Sequence, residues 1–206
     1  AAYDANIHWE QTATYNVGLD YSLFKGRLSG TLDFYQKNTS DLLNEIPTPA
    51  GANFSNRILT NVGNITSKGF ELSINATPIQ TKRFSWDVGY NISSNSTKIT
   101  KLNAVEVPGY QGVPTGGVTG GTGTNVQIHS VGYAPGTFFV YQQKYDANGK
   151  PLEGQFVDRN NDGVINELDK YRTHSPEPKV IMGFSTSLTL DRWTLSTSLR
   201  ASLGNY

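Results

Sequence analysis

The sequence predicts an all-β chain, part of a large antiparallel transmembrane β-barrel with about six wall strands and long extracellular loops. Three observations predict it. Apolar and polar residues alternate along stretches of about ten residues, the period of a strand with two unlike faces. The links between those stretches alternate between short and long. The polar face is built of Ser, Thr, Asn and Gly, where the water-facing side of a soluble sheet would carry many Lys, Glu and Arg.

The first stretch is TATYNVGLDY at 12–21, with Tyr15, Val17, Leu19 and Tyr21 on one face and Thr14, Asn16, Gly18 and Asp20 on the other. After a break around Lys25 and Gly26, residues 27–36 set Leu28, Leu32 and Phe34 against Ser29, Thr31 and Asp33, giving a hairpin over about 12–36. A second hairpin spans about 67–95: Phe70, Leu72, Ile74 and Ala76 form one apolar row, and Phe84, Trp86, Val88, Tyr90 and Ile92 the next. The third, at about 180–204, has Val180, Met182, Phe184, Leu188 and Leu190 on one strand. A two-residue turn at Asp191 and Arg192 leads to Trp193, Leu195, Leu199 and Leu203 on the other.

The links near 22–26, 77–82 and 191–192 are short, and 37–66 and 96–179 are long. In an antiparallel up-and-down sheet alternate links lie on opposite sides, so one rim is trimmed and the other elaborated. Outer-membrane barrels have this asymmetry, with short periplasmic turns and long extracellular loops. Tyr21, Phe24, Phe84, Trp86 and Trp193 sit beside the short turns, where an interfacial aromatic girdle belongs. The competing reading is a sandwich core with aromatics at its strand ends. Six strands cannot close a membrane barrel, whose smallest examples have about eight. The remaining wall comes either from further strands of the same polypeptide or from further copies, and ends that read as cuts inside a longer protein favour the first.

Composition excludes several function classes. Lys plus Arg equals Asp plus Glu at 17 each, which leaves no basic field for nucleic acid. The absence of cysteine removes disulfides, thiolate metal sites and cysteine nucleophiles. No apolar run approaches the roughly 20 residues of a membrane-spanning helix. His8, His129 and His174 share no metal-ligand spacing, and no Ser/His/Asp arrangement stands out in so Ser-rich a chain, so no catalytic residue is assigned.

The sharpest local motif runs from Asp158 to Asp169, DRNNDGVINELD, and matches a twelve-residue calcium loop at its ligand positions. Calcium takes six to eight oxygens, which Asp158, Asn160 and Asp162, the Val164 carbonyl, Asn166 through a water, and Asp169 would supply around a turn at Gly163. Asp at the last position is shorter than the usual Glu, which weakens bidentate closure. The alternative is a turn held by its own Asp and Asn hydrogen bonds. The Gly-rich run at 112–123 lacks the ending of a phosphate loop and reads as a flexible loop. Tyr110, Phe138, Phe139, Tyr141 and Tyr145 either stack on sugar rings, meet a partner, or pack on one another. Asp20, Asp33, Glu71, Asp87 and Arg200 fall on the polar face, where structural pairing is the default.

Several long strings resemble one family: HWEQTATYNVGLDYSLFKGRLSGTLDFYQKNTSDLL, TNVGNITSKGFELSINATPI, FSWDVGYNISSNSTKITKL, and the segment from VGYAPGTFFVYQQKYDANGK to the end. They are similar to the SusC/RagA-type TonB-dependent outer-membrane transporters of Bacteroidota, over nearly the whole chain except about 111–126. The resemblance implies a barrel of about 22 strands. It also implies a plug domain and a TonB-contacting segment outside these residues, and a SusD-like surface lipoprotein that captures an oligosaccharide or peptide. On that reading the chain supplies wall and mouth to an importer energised through TonB, in contact with outer-membrane lipid and the rest of the same barrel. Two other classes remain open at this point, a soluble calcium-binding β-sandwich adhesin and an outer-membrane barrel enzyme.

Overall fold

The computed structural model describes residues 4–47, 57–102, 109–121 and 123–206. Six long strands form a single antiparallel sheet in the order β1 (Gln11–Leu23), β2 (Leu28–Pro47), β3 (Arg57–Gln80), β4 (Phe84–Lys101), β11 (Val180–Leu190) and β12 (Trp193–Leu203). Each strand pairs with its neighbour in sequence except across β4 and β11, where the chain leaves the wall and returns. In that excursion β5 (Val113–Gly117), β6 (Asn125–His129), β7 (Thr137–Val140) and β10 (Tyr171–Arg172) form a sheet of order β10-β7-β6-β5. β8 (Gln143–Tyr145) and β9 (Pro151–Phe156) form a separate hairpin.

Register decides which side chains share a face. Leu19 pairs with Leu32, Leu32 with Leu72, Leu72 with Ile92 and Ile92 with Met182, so one apolar row crosses five strands. The rows on either side hold Val17, Phe34 and Phe70, then Tyr21, Ile74, Tyr90, Phe184 and Leu199. Gly30 breaks the second of these for a packing reason: the Tyr21 ring lies across it, its hydroxyl 2.6 Å from where a Cβ would stand. An aromatic over a strand glycine restores the side-chain cover that the glycine lacks.

The short turns are specified locally. Phe24, Lys25 and Gly26 all have φ between 56° and 85°, and the Gly26 amide donates to the Leu23 carbonyl. At 81–83 the Thr81 hydroxyl accepts from the Phe84 amide at 2.9 Å, closing the turn with a side chain. Asp191 takes φ 50°, a left-handed conformation that Asp tolerates. Its carboxylate receives both Arg83 Nε at 2.8 Å and Arg83 Nη2 at 2.6 Å, joining neighbouring turns on the same rim.

Strand bounds differ from those read in the sequence. The segments expected as loops, 37–66 and 96–179, are partly strand: β2 continues to Pro47, β3 begins at Arg57 and β4 reaches Lys101. Bulges at Thr39/Leu42 and Asn64/Ile65 shift the register there, so an ordered ladder no longer alternates cleanly in sequence. A further irregularity between Ala76 and Ile79 carries β3 to Gln80, into the expected 77–82 link. The Gly-rich run is a second correction, because Val113–Gly117 pairs with Asn125–His129 as a hairpin rather than forming a flexible loop. Its glycines suit that hairpin: Gly116 at φ 65° leaves space that Gln127 fills.

The hydrophobic core lies at the long-loop end and not beneath the sheet. Among the described residues the buried hydrophobics are Val62, Ile99, Leu102, Ile128 and Phe139. Ile99 joins the excursion to the wall, its amide donating to the Tyr133 carbonyl at 2.9 Å and its carbonyl accepting from the Gly132 amide at 2.8 Å.

Candidate functional site

The feature with functional content is the wall itself, which has two chemically opposed faces. On the apolar face, even on strands paired on both sides, Phe34 is 55% exposed, Leu190 54% and Phe184 38%. Water would penalise such exposure by about 25 cal/mol per Å², so this face requires an apolar medium. No second sheet of the described residues packs on it. The 11 residues of β12 extend about 33 Å at 3.3 Å per residue. Tilted by about 40° they cover about 25 Å of height, the depth of the apolar band in outer-membrane barrels. Trp86 is on the same face, and its Nε1 donates to Thr186 Oγ1 at 2.8 Å, so its polar atom is satisfied without water.

The opposite, inward face is dense in short hydroxyls and amides. Ser22, Ser29, Asn75, Gly89, Ser185 and Ser198 form one row across all six strands. Of the charges placed here by alternation, Asp33 accepts from Asn16 Nδ2 at 3.3 Å, and Asp87 accepts from Thr77 Oγ1 at 2.7 Å and Ser85 Oγ at 3.1 Å. Asp33 and Glu71 are direct cross-strand partners, and Arg200 lies opposite Gly183. Short neutral side chains give this face a small, uncharged, hydrogen-bonding surface.

The 158–169 loop closes on itself. Asp158 Oδ2 accepts from the Gly163 amide at 2.8 Å, Asn160 Oδ1 from the Asp162 amide at 3.1 Å, and Asp162 Oδ1 from the Val164 amide at 2.8 Å. Asn166 and Asp169 form a reciprocal cap around a single 3-10 turn at Glu167–Asp169. The Asn166 oxygen is thereby committed to the Leu168 amide at 2.8 Å. Asp169 is completely buried, its two oxygens accepting from the Arg159 and Asn166 amides at 2.8 Å each, so one short carboxylate ties the start of the loop to its end. This contact fits Asp, whereas Glu would hold the carboxylate one methylene further out. Among the described residues no three His, Asp or Glu side chains converge as a group that would hold a metal ion.

The Asn166 amide above all, with those of Arg159 and Asn160 and a bond from Asp158, holds the Asp169 carboxyl below its ordinary value of 3.8, against the effect of burial. A depressed carboxylate stabilises the fold above its unfolded pKa and loses that contribution as pH falls through the folded value. Hydrogen exchange of the loop amides is therefore expected to remain slow above about pH 4 and to accelerate below it, relative to base-catalysed intrinsic rates. Asp169→Asn is expected to remove the acid-dependent step, and an identical pH profile in that variant would contradict the assignment.

One cluster carried no sequence signal. Arg172 Nε donates to Ser130 Oγ at 2.8 Å, and its Nη2 donates to the Gln111 carbonyl at 2.5 Å. The guanidinium lies 5.2 Å from the Phe139 ring centroid and 5.3 Å from that of Tyr133. Ser130 also donates to the Gln111 carbonyl at 2.6 Å and is only 2% exposed. A lone Arg after a Tyr has no periodicity or motif to announce this role. The predicted loop aromatics divide: Phe139 is buried and Tyr141 stacks on Phe156 at 5.2 Å, while Tyr110 and Tyr145 are exposed. Phe138 is half-buried in β7. The histidines are scattered, His8 beside Asp41, His129 accepting from the Gly136 amide and His174 stacked on Tyr206.

Residues 1–205 match the family described as TonB dependent receptor-like, beta-barrel. The chain is 45% identical over its whole length to TonB-dependent receptor SusC of Bacteroides thetaiotaomicron, covering 20% of that protein. It is 31% identical over 97% of its length to TonB-dependent receptor P26 of Formosa agariphila, covering 21% of it. In fold it superposes on the RagAB peptide importer in its open-open state with a TM-score of 0.72 at 22% identity, over 97% of this chain and 21% of that one. The chain thus spans about a fifth of the length of the curated relatives it matches. Both curated relatives are TonB-dependent receptors. With an antiparallel wall that is polar on one face and open to an apolar medium on the other, the chain belongs to the TonB-dependent receptor-like β-barrel family.

Proposed function

We propose that the chain forms wall strands and outer loops of a TonB-dependent importer of oligosaccharides or peptides in the bacterial outer membrane, working with a SusD-like lipoprotein at its mouth. The observation that carries this reading is the uncovered apolar face, on a chain 45% identical to SusC from end to end. The wall then lies in outer-membrane lipid, the short turns face the periplasm and the excursion between β4 and β11 faces outward. β2, β3, β4 and β11 are paired on both sides, which lets them cross hydrocarbon without stranded amides, and β1 and β12 are the edges that the rest of the barrel wall would pair. Energy reaches the barrel through TonB and a plug, and the chain itself performs no catalysis. The likeness to a peptide importer is one of fold, and supports the barrel without choosing the substrate.

The test is uptake of defined oligosaccharides and of defined peptides by cells carrying the complete protein. Uptake of one class is expected to stop when either TonB or the partner lipoprotein is removed. Uptake that continues unchanged without TonB would overturn the energised-importer reading.

We further propose that the 158–169 loop takes calcium. Asp158, Asn160, Asp162 and Asp169 with the Val164 carbonyl are oxygen donors of the type this ion requires, Asn166 holds a bridging water, and the role is to stiffen an outer loop. Self-closure by hydrogen bonds is the competing account, and it is the one the observed contacts of the loop support directly. If calcium binds, adding it raises the melting temperature of the native protein, and Asp158→Ala with Asp162→Ala abolishes that rise. A native protein whose melting temperature ignores calcium removes the ion.

A further inference from the structure

The apolar face does not end abruptly on the long-loop side. Below the Thr39/Leu42 bulge the outward positions of all six strands hold no Asp or Glu, since Asp20, Asp33, Glu71 and Asp87 alternate to the inward face. The outward charges there are Lys68 and Lys98. Lys68 is the first outward residue beyond Phe70 on β3, and Lys98 is separated from Ile92 on β4 only by Ser94 and Ser96. Lys68 pairs with Ser96 and Lys98 with Thr66, so the two stand one diagonal step apart on adjacent strands. Such positions are about 7–8 Å apart, within the joint reach of two lysine side chains. Both are exposed, and among the described residues neither forms an ion pair. Lys37, by contrast, lies inward over the Tyr35 ring.

A pair of ammonium groups bordering a lipid-facing belt, with no carboxylate on the same face, is complementary to an anionic headgroup. We propose that Lys68 and Lys98 hold the phosphate of a lipid headgroup in the leaflet at the long-loop rim, fixing the height of the wall at that rim. This rests on the membrane orientation given above. Each lysine near a charged surface contributes on the order of a 5-fold preference, so the pair supplies roughly 25-fold.

The test uses the complete protein reconstituted into vesicles of neutral phosphatidylcholine, with and without a fraction of lipid A, and reads the lipid retained on the protein by native mass spectrometry. The native protein is expected to retain lipid A over the neutral lipid by roughly the 25-fold stated, and Lys68→Gln with Lys98→Gln to lose most of that preference. Lys37→Gln is expected to keep it. A double variant that retains lipid A as the native protein does overturns the proposal. So does inorganic phosphate in solution that displaces lipid A fully, which would mark a free-anion site. Failure to insert even into neutral vesicles counts against the membrane reading itself, whereas insertion without headgroup preference counts against the lysine pair alone.

Discussion

Ile74→Arg is expected to destabilise the barrel in lipid by about 2–4 kcal/mol, the cost of a basic residue on the lipid face near the bilayer midplane. Asn75→Arg, one position along the same strand, is expected to cost far less. Ile74 pairs with Gly30 on β2 and Tyr90 on β4 in the middle of the outward belt, whereas Asn75 pairs with Ser29 and Gly89 in the inward hydroxyl row. Since strand side chains alternate with period two, adjacent substitutions place the same charge in hydrocarbon or in water. The measurement is reversible denaturant unfolding of the complete barrel in vesicles. Equal costs at both positions would mean that the faces are not chemically opposed.

Arg172→Ala is expected to loosen the excursion without weakening the wall. Its fork supplies charged donors to Ser130 Oγ and the Gln111 carbonyl, and hydrogen bonds to charged groups contribute about 1.5–3 kcal/mol each. Removing it leaves Ser130, in a 2%-exposed setting, short of its donor and takes the cation from beside Phe139 and Tyr133. The expected result is local exchange in 111–140 faster by a factor corresponding to about 2 kcal/mol, with wall amides unchanged. Arg172→Lys is expected to recover little, because a point charge cannot satisfy both partners in the planar geometry of the fork. Full recovery by lysine would show that charge alone matters there.

The wall was legible in the sequence because the two faces meet different media. From Tyr15 to Leu23 and from Trp193 to Leu203 one face is mostly apolar and the other mostly Ser, Thr, Asn and Gly, so the period-two signal is strong. Past Asn38 on β2 and before Thr66 on β3 both faces are away from the belt, that contrast ends, and KNTSDLLNEIP reads as loop even though it is strand. Bulges at Thr39/Leu42 and Ala76/Ile79 then move the alternation out of phase. In the excursion, strands of two to six residues are too short for any period, and their order comes from tertiary contacts such as Ile128, 1% exposed, and the Arg172 fork.

The Asp158–Asp169 motif was visible, but not the amide contacts of its last residue. Calcium-loop spacing assigns Asp169 to an ion, and in the structure its two oxygens accept from the Arg159 and Asn166 amides, which ties the loop's start to its end. Spacing alone cannot distinguish an oxygen that faces a cation from one that faces an amide, because both demand the same convergent geometry. Asn166 illustrates the same ambiguity, since its side chain caps the turn through the Leu168 amide.

The central claim, one face in lipid and the other in water, is tested most directly along β3. The chain has no cysteine, so single cysteines can be placed in turn at 70, 71, 72, 73, 74 and 75 of a complete protein kept free of others, spin-labelled and reconstituted in vesicles. The wall described here predicts strict alternation: labels at 70, 72 and 74 relax with lipid-soluble oxygen, and those at 71, 73 and 75 with a water-soluble nickel reagent. Uniform accessibility along the six positions, or alternation of the opposite phase, would contradict it.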